Sequence, residues 1–401
     1  MTRQAMIIDA IRIPRALSRP DGAYASVKPI DLLKPLFQTM AERHSLDTAL
    51  VEDVILGCNT QTREQGANLG KIAPLYAGWH ERVSGISVNR FCCSSLDAVN
   101  SAAANIMAGM QRLNVAGGVE SLSRVPMFAD KGSWFADPDV ARATRFMHMG
   151  LAADLVANLR GYSRESLDRV ALDSHRRAAR AQEEGRFVSL VPIRDRQSVP
   201  VLVADNAVRP STTAEKLAAL PVRFSEAGEA GGAAPALARY PQLKELQYLH
   251  TAATSPALTD GASLLLLADA QKAEELGLKP RARLSAFAVA SDEPVIMLTG
   301  HIRATEKLFA NTGLTTADID LFEVNESFAA SVLDYRDQLA VPEHKLNVNG
   351  SALAMGHPLG ATGGNLIGTL LDELKRRDMK RGIVAIPGGA GVGVATLIER
   401  V

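Results

Sequence analysis

The first 120 residues alternate short apolar runs with longer amphipathic segments, and this alternation restricts the chain to few architectures. Residues 5 to 9 (AMIID) and 52 to 57 (EDVILG) predict short buried strands. Between them, residues 29 to 43 predict a helix, whose apolar face consists of Leu32, Leu33, Leu36 and Met40. Strand, helix, strand is the order typical of an α/β protein.

A second unit repeats this order. GISVN (85 to 89) predicts a strand, and the helix that follows has its apolar residues at three- and four-residue spacing: Leu96, Val99, Ala103, Ile106, Met107 and Met110. The unit ends with the strand-like LNVAG before Gly118. SLLLLADA (263 to 270) resumes the sheet pattern, and a second α/β half continues to the end of the chain.

Between these regions, from about residue 120 to 250, the composition changes. This stretch is rich in Arg, Ala, Pro and Gly and contains one clear charged helix, near residues 163 to 184. We interpret it as an excursion from the sheet. Its segment GEAGGAAPALARYPQ (228 to 242) predicts a flexible surface loop.

Composition excludes several classes of function. Lys and Arg together number 44, as do Asp and Glu, so no net charge attracts nucleic acid or anionic lipid. The three cysteines, Cys58, Cys92 and Cys93, are too few for a disulfide framework or a four-cysteine zinc site. No apolar run approaches the ~18 residues of a membrane span. We therefore expect a cytoplasmic protein with no bound metal, no membrane span and no nucleic-acid partner.

Three segments could support catalysis, and the first is VNRFCCSSLDAV (88 to 99). It places Cys92 between a strand and the first turn of a helix, where free N–H groups and the helix dipole stabilise an anion. A thiol at this point is expected to have a depressed pKa. The alternative is that cysteines are small buried hydrophobes, which is our interpretation of Cys58. For the adjacent Cys92 and Cys93 both interpretations stay open on local grounds.

The second segment is NVNGSALAMGHPLGATGGN (347 to 365), with His357 in a glycine-rich connection between a predicted short strand and a leucine-bearing helix. Glycines allow close approach of the backbone to a ligand, and Pro358 restricts the chain beside the imidazole. His357 is thus a candidate general base. Spacing alone does not single it out, because the chain has 8 histidines.

The third segment combines EVNESFAA (323 to 330), with Asn325 in an irregular connection, and the glycine-dense AIPGGAGVGVA (385 to 395). Exposed amide N–H groups in such a turn can stabilise an oxyanion. The alternative is a tight hairpin without a catalytic role.

Taken together, the three segments resemble the thiolase family. NRFCCSSL resembles its nucleophile motif, NESFA its Asn-Glu-Ala-Phe block, and NVNGSALAMGHPLGATG its Gly-His-Pro signature, in the family's order and spacing. Further blocks resemble the family at residues 7 to 14, 116 to 127, 209 to 220 and 255 to 262. The resemblance therefore covers nearly the whole chain.

The resemblance implies a five-layered αβαβα fold of two similar halves. The N-terminal half would span residues 1–270 and include an inserted excursion domain at about 121–250, and the C-terminal half would span 271–401. It also implies a homodimer or homotetramer that acts on acyl-CoA thioesters, with coenzyme A as a substrate and no permanently bound cofactor.

The resemblance also implies residue roles. Cys92 would be the acylated nucleophile, and His357 the base that takes its proton. Asn325 would position a water in one oxyanion hole, and the backbone N–H groups of Cys92 and Gly389 would form the other. The expected reaction is cleavage or formation of a 3-oxoacyl-CoA through an acyl-Cys92 intermediate, typical of fatty acid β-oxidation. Coenzyme A would lie along the excursion domain, whose Arg and Lys residues can contact its phosphates.

One departure from the family concerns proton transfer. Thiolases have a second cysteine in the terminal glycine-rich turn, whereas this chain has Pro387 at the aligned position and no cysteine after Cys93. Three hypotheses remain: a thiolase with another proton path; an acyltransferase, hydrolase or condensing enzyme without reversible thiolysis; or a non-catalytic acyl-CoA-binding protein. The presence of Cys92, Asn325 and His357 argues against the third, because binding requires none of them.

Overall fold

A computed structural model describes residues 3–401, so residues 1 and 2 of the predicted N-terminal half lie outside the described residues. The strands are β1 (Ala5–Arg12), β2 (Ala16–Leu17), β3 (Asp53–Gly57), β4 (Ser84–Val88), β5 (Leu113–Glu120), β6 (Thr259–Asp269), β7 (Ala282–Ser291), β8 (Leu321–Val324), β9 (Arg381–Pro387) and β10 (Val392–Arg400).

The helices alternate with these strands and also form the insertion between β5 and β6. They are α1 (Pro29–Arg43), α2 (Leu69–Tyr76), α3 (Ser94–Met107), α4 (Ser133–Ala136), α5 (Pro138–Ala143), α6 (Met149–Arg160), α7 (Arg164–Glu183), α8 (Ala214–Ala218), α9 (Ser225–Ala227), α10 (Ala234–Arg239), α11 (Ala270–Glu275), α12 (Gly300–Thr312), α13 (Ala329–Gln338), α14 (Ala352–Met355) and α15 (Thr362–Arg376).

The strands form one mixed sheet in the order β4-β3-β5-β6-β1-β7-β10-β9-β8, with β2 added beside β6. The order contains a repeat. In the first part, β3 pairs parallel with β5, which is followed by antiparallel β6 and β1. In the second part, β8 pairs parallel with β9, which is followed by antiparallel β10 and β7. The α/β fold class predicted from the sequence is confirmed.

Alternation of side chains along the strands separates the cores on the two faces of the sheet. In β6, Leu264 and Leu266 enter the core beneath α1, whereas Leu265 and Leu267 enter the core around α3 and α15. Both faces are therefore buried, which explains why β6 is an unbroken apolar run. Helices α3 and α15 pack against each other between the two halves.

The insertion between β5 and β6 contains helices and none of the named strands, as predicted for the excursion. Its apolar core is built mainly on α6 and α7 and is shared with α13 of the C-terminal half. A buried ion-pair cluster attaches it to the end of β1. Arg12 donates to both oxygens of Asp205, at 2.8 and 2.9 Å, and Arg15 Nη2 lies 3.3 Å from the same carboxylate. These two guanidinium groups hold the pKa of Asp205 at about 2, against the opposing effect of burial.

Two local predictions were wrong. The predicted surface loop at 228 to 242 contains α10 (Ala234–Arg239), because its alanines have high helix propensity. The predicted short strand before His357 is instead the helix α14 (Ala352–Met355), formed by the sequence ALAM. Among residues 3–401, none of the helices combines the length and the apolar character that a membrane crossing requires.

Candidate active site

Cys92 lies in the connection from β4 to α3, one residue before Cys93 at the helix N-cap. Hydrogen bonds between near neighbours hold this connection. The side chain of Asn89 accepts from Phe91 N at 2.8 Å, and Ser94 Oγ accepts from Arg90 N at 2.8 Å. Phe91 has a φ of +49°, a conformation uncommon for a bulky residue, so the turn that presents Cys92 is strained.

The expected depression of the Cys92 pKa was wrong. Burial, with a smaller contribution from the nearby Glu120 carboxyl, raises the pKa of Cys92 to about 12. The helix does begin at Ser94, as the argument from the helix dipole required. Its effect is smaller than the cost of placing a thiolate in an enclosed site. The resting group is therefore a thiol, and a base must take its proton at the moment of attack.

Cys93 has a different environment. Its Sγ donates to the carbonyl oxygen of Ile386 at 3.2 Å, and its side chain is fully buried in the apolar core around α3. Burial raises the pKa of Cys93 well above its ordinary value. Cys58 is also buried, and its Sγ lies 3.9 Å from Glu120 Oε1. Neither thiol lines the cavity that Cys92 lines.

His357 precedes α15, and its position depends on residues far away in the sequence. Its backbone N–H donates to Ala257 O at 2.8 Å, and Arg15 Nη1 donates to Gly356 O at 3.1 Å. Gly356 has a φ of +90°, and a Cβ atom there would lie 2.1 Å from Thr259 Cγ2, so only glycine fits. The loop is thus fixed against β1 and the start of β6.

The imidazole of His357 is poised to accept a proton. Nδ1 lies 2.8 Å from Thr362 Oγ1, and within residues 3–401 Nε2 has no hydrogen-bond partner. Burial, with repulsion from Arg15, lowers the pKa of His357 to about 3, so the ring is neutral. When Nδ1–H donates to Thr362, the lone pair of Nε2 is available as a base.

One cavity of about 240 Å³ unites the two segments: Cys92, His357, Ser327, Pro387 and Gly389 all line it. Cys92 comes from the first half of the sheet repeat and His357 from the second. Both side chains therefore line one cavity.

Asn325 lies behind the wall of this cavity. It is fully buried, and its Nδ2 donates to Ser327 Oγ at 2.7 Å, while Oδ1 has no partner within residues 3–401. Ser327 and Phe328, which follow it, line the cavity. Asn325 therefore contacts the cavity only indirectly, through its hydrogen bond to the Ser327 hydroxyl.

The turn between β9 and β10 forms the wall at Pro387 and Gly389. Gly388 N–H is used within the hairpin, where it donates to Val392 O at 2.7 Å. Within residues 3–401, the N–H groups of Cys92 and Gly389 donate to no carbonyl or side chain of another residue. Two free amides in the wall are what an oxyanion site requires. Pro387, in contrast, supplies no group that exchanges a proton.

Sequence reasoning missed Glu120, the last residue of β5. Its fully buried carboxylate accepts from Asn59 N (2.9 Å), Thr60 N (3.1 Å), Gln65 Nε2 (2.9 Å) and Gly360 N (3.0 Å). It thereby fixes the loop after β3 to the loop that carries His357. A carboxylate at the end of a mostly apolar strand is a sequence signal that could have found it.

Two further groups of side chains in the cavity wall were also missed. We term one the aromatic wall: Phe91, Phe128, Trp134 and Phe135, with Asp130 at its exposed edge. We term the other the basic wall: His148, Arg223, Phe224 and Ser255. His148 Nδ1 accepts from Gly150 N at 3.1 Å, which leaves the ring N–H at Nε2, and burial and Arg223 lower the pKa of the ring.

Comparison with known proteins gives consistent matches over the full chain. The family model for the N-terminal domain of thiolase matches residues 5–271, and the model for the C-terminal domain matches residues 278–400. The 3-ketoacyl-CoA thiolase of Shewanella denitrificans is 39% identical, with 100% of both chains covered. That of Klebsiella pneumoniae is 38% identical, covering 99% of this chain and 100% of its own length.

A solved structure matches as well. The crystal structure of the Bacillus anthracis acetyl-CoA acetyltransferase has a TM-score of 0.86 and 33% sequence identity. The match covers 100% of this chain and 99% of that one.

Proposed function

This chain belongs to the thiolase family, as a thiolase-type acyltransferase, and we propose that it cleaves 3-oxoacyl-CoA through an acyl group carried on Cys92. The observation that carries the proposal is that Cys92 and His357, from the two halves of the sheet repeat, line the same cavity. Coenzyme A is the acyl acceptor.

The first half-reaction begins with two neutral groups. His357 Nε2 takes the proton of the Cys92 thiol as the sulfur attacks the 3-keto carbon, and negative charge develops on the keto oxygen. The free N–H groups of Cys92 and Gly389 stabilise that charge, at ~2.7–4 kcal/mol per donor in comparable sites. Asn325 acts on the site of the thioester oxygen indirectly, by fixing the Ser327 hydroxyl in the cavity wall.

Because Pro387 has no proton to exchange, the proton that the leaving acetyl-CoA requires must come from another residue. Breaking the bond between C2 and C3 releases an acetyl-CoA enolate, which requires a proton at C2. Protonated His357 returns to C2 the proton that it took from Cys92, so a single imidazole completes the half-reaction. The environment that lowers the pKa of His357 to about 3 makes its imidazolium a strong acid and favours this transfer. Cys93 takes no part, because its thiol donates to Ile386 O in the core.

The second half-reaction transfers the acyl group to coenzyme A. His357 removes the proton of the CoA thiol, sulfur attacks the acyl-Cys92 carbonyl, and the proton returns to the Cys92 sulfur. Coenzyme A enters along the basic wall, where Arg223 can meet a phosphate and the His148 Nε2–H can donate to the pantetheine chain.

The wider setting is proposed on the same basis. We assign the reaction to the degradation of 3-oxoacyl-CoA, as in fatty acid β-oxidation, in the cytoplasm and without a resident cofactor. The working form is a homodimer or homotetramer, whose two catalytic halves divide near residue 270.

Intact-mass measurement tests the proposal. Incubation with acetoacetyl-CoA is expected to add one acetyl group to the protein, and Cys92→Ala is expected to remove the adduct. Cys93→Ala is the matched control and keeps the adduct, because the Cys93 thiol does not line the cavity. Absence of an adduct with every 3-oxoacyl-CoA tested would instead identify a non-catalytic acyl-CoA-binding protein.

A second candidate function keeps the acyl-Cys92 intermediate but lacks reversible thiolysis, as in an acyltransferase, hydrolase or condensing enzyme. The presence of Pro387 in the cavity wall favours it, because no second proton carrier stands there. The two candidates are separated by adding coenzyme A to substrate and enzyme. Acetyl-CoA is produced over many turnovers with consumption of free coenzyme A in the first case, whereas the single equivalent of acetyl-CoA that accompanies formation of the acetyl adduct, with no consumption of coenzyme A, identifies the second.

A further inference from the structure

The aromatic wall contains a disproportionate share of the large apolar rings in this chain. The sequence has 11 Phe and 2 Trp in 401 residues. Four of these rings form the aromatic wall, and Phe224 and Phe328 line the same cavity. Rings of this size dominate apolar cores, so their concentration around a cavity indicates a binding surface.

The rings contact one another in the geometry that aromatic pairs prefer. Phe91 and Trp134 have centroids 5.1 Å apart, tilted by 50°. Phe128 and Phe135 have centroids 4.5 Å apart, tilted by 57°. Phe146 stands behind them, perpendicular to Trp134 at 4.9 Å. The wall is thus a continuous aromatic surface with a fixed arrangement.

Two features distinguish this wall from ordinary core packing. Its four rings are only partly buried, whereas the core phenylalanines Phe37 and Phe322 are fully enclosed. In addition, Phe91 and Phe128 have φ angles of +49° and +70°. Such backbone conformations in bulky residues are unfavourable and concentrate at ligand-binding sites.

The aromatic wall adjoins the reacting carbon. Phe91 directly precedes Cys92 in the chain, and a Cβ atom on Gly389 would lie 3.1 Å from Phe91 Cγ and 3.1 Å from Trp134 Cη2. These two rings therefore cover the turn whose free N–H is proposed to stabilise the keto oxygen. A group attached to the 3-keto carbon must extend along them.

Cavity size and charge limit what that group can be. A cavity of about 150 Å³ accommodates benzene. The whole cavity here is about 240 Å³ and must also receive the end of the CoA chain, so one ring fits and a steroid nucleus does not. Within residues 3–401, Asp130 is the one charged side chain along this wall, and its carboxylate disfavours an acyl group that ends in a carboxylate.

From the aromatic wall we infer that the acyl group carried on Cys92 is aromatic, and that the substrate class is 3-oxo-3-arylpropanoyl-CoA. The inference rests on the proposed function and specifies its substrate. Cys92 sulfur bonds to the keto carbon and the C2–C3 bond breaks, leaving an aroyl thioester on the enzyme. The electron pair passes to C2 of acetyl-CoA, which receives the Cys92 proton through His357. A second CoA thiol then displaces the aroyl group and returns a proton to Cys92.

Competing substrates test the inference on the intact protein. We compare 3-oxo-3-phenylpropanoyl-CoA with 3-oxononanoyl-CoA, a linear substrate with the same number of acyl carbons, and measure kcat/KM for the release of acetyl-CoA. The aryl substrate is expected to be favoured at least about fivefold, because the two rings next to Cys92 both contact it. A linear substrate that ends in a carboxylate is expected to be the poorest of the three.

Variants of the aromatic wall test whether it causes the preference for the aryl substrate. Trp134→Leu and, separately, Phe135→Leu are expected to reduce the aryl-to-linear ratio by about fivefold each. Phe309→Leu in α12, which does not line the cavity, is the matched control and leaves the ratio unchanged.

The outcomes separate this inference from the proposed function. If the wild-type ratio is one or lower while both substrates form adducts on Cys92, the aromatic substrate class is wrong and the thiolase reaction stands. If neither substrate forms an adduct, the proposed function fails with it. A wild-type preference that survives both wall variants also overturns the assignment to this wall.

Discussion

The two halves of the sheet repeat each place one candidate catalytic segment just before a helix, and the two segments are held in different ways. The connection before α3, residues 89 to 93, is closed by local hydrogen bonds of Asn89 and Ser94, and Asn89 Nδ2 and Cys93 Sγ add one longer-range bond each, to Asn59 O and Ile386 O. The connection before α15, residues 356 to 361, is held by Arg15, Glu120 and Ala257, which lie about 100 residues or more away in sequence.

This difference separates two tasks. A nucleophile that must project into a cavity can be presented by a strained local turn, and the short sequence around it contains most of that information. A base that must meet this nucleophile has to be positioned relative to a distant part of the chain. Its position therefore depends on long-range contacts, so substitutions far from His357 in sequence should disturb it.

The largest expected effect comes from removing either partner. Cys92→Ala and His357→Ala are each expected to lower kcat for acetyl-CoA release by more than about 10⁴-fold, and the double variant to lose little more, because the two groups act as a unit. Steady-state kinetics on the single and double variants provide the measurement. Losses that multiply in the double variant would contradict the pairing of thiol and imidazole.

The second prediction compares the stability that distant contacts give one segment with the stability that mainly local contacts give the other. Glu120→Ala leaves four buried donors without their acceptor and is expected to lower the free energy of unfolding by at least about 3 kcal/mol. Asn89→Ala, the change in the other segment, removes two hydrogen bonds, one from Phe91 N and one to Asn59 O, and is expected to cost about 1–2 kcal/mol. Urea denaturation measures both. Equal costs would show that the two segments are supported alike.

An increase in activity is expected from a substitution in the turn between β9 and β10. Pro387→Cys places a thiol in the cavity wall and is expected to raise kcat for thiolysis by about tenfold, since a positioned acid contributes ~10²–10⁴-fold in optimised sites. It should also introduce exchange of the acetyl-CoA methyl protons with deuterated water, followed by mass spectrometry. An unchanged or lower rate would mean that the site is adapted to His357 as the sole proton carrier.

The smallest expected effect is on the pH profile. The pKa of His357 is lowered to about 3 and that of Cys92 raised to about 12, so the neutral pair persists throughout the range between them. Between about pH 5.5 and 7.5, kcat/KM should change less than about twofold, whereas a base with the ordinary histidine pKa of about 6.5 would lose about tenfold. Samples held at the lower pH and assayed at the higher one control for denaturation.

Much of the fold was predictable because its information is local. The helix over residues 29 to 43 and the charged helix near 163 to 184 match α1 and α7 closely, since both have clear helical periodicity and their own boundaries. The segment before His357 was predicted as a strand and is α14, because four residues contain too little periodicity to decide between the two.

For the candidate site, too, some properties were predictable from the local sequence and others were not. Cys92 and His357 were predicted from their motifs, but the pKa of Cys92 was predicted in the wrong direction. A sequence shows that a helix begins at Ser94, yet it does not show how much protein encloses the thiol, and here burial outweighs the helix dipole. The aromatic wall was missed because Phe91 and Trp134 are separated by 42 intervening residues and meet only in the folded chain.

By itself the sequence determined the α/β order of elements and the two motif segments with Cys92 and His357, because each depends on the chemistry of a short stretch. Tertiary structure alone decided that the two segments share one cavity, that burial raises the pKa of the Cys92 thiol, and that rings from the excursion line the same cavity as Cys92. Those properties depend on which distant groups exclude water from a given atom, and water exclusion exists only once the chain has packed.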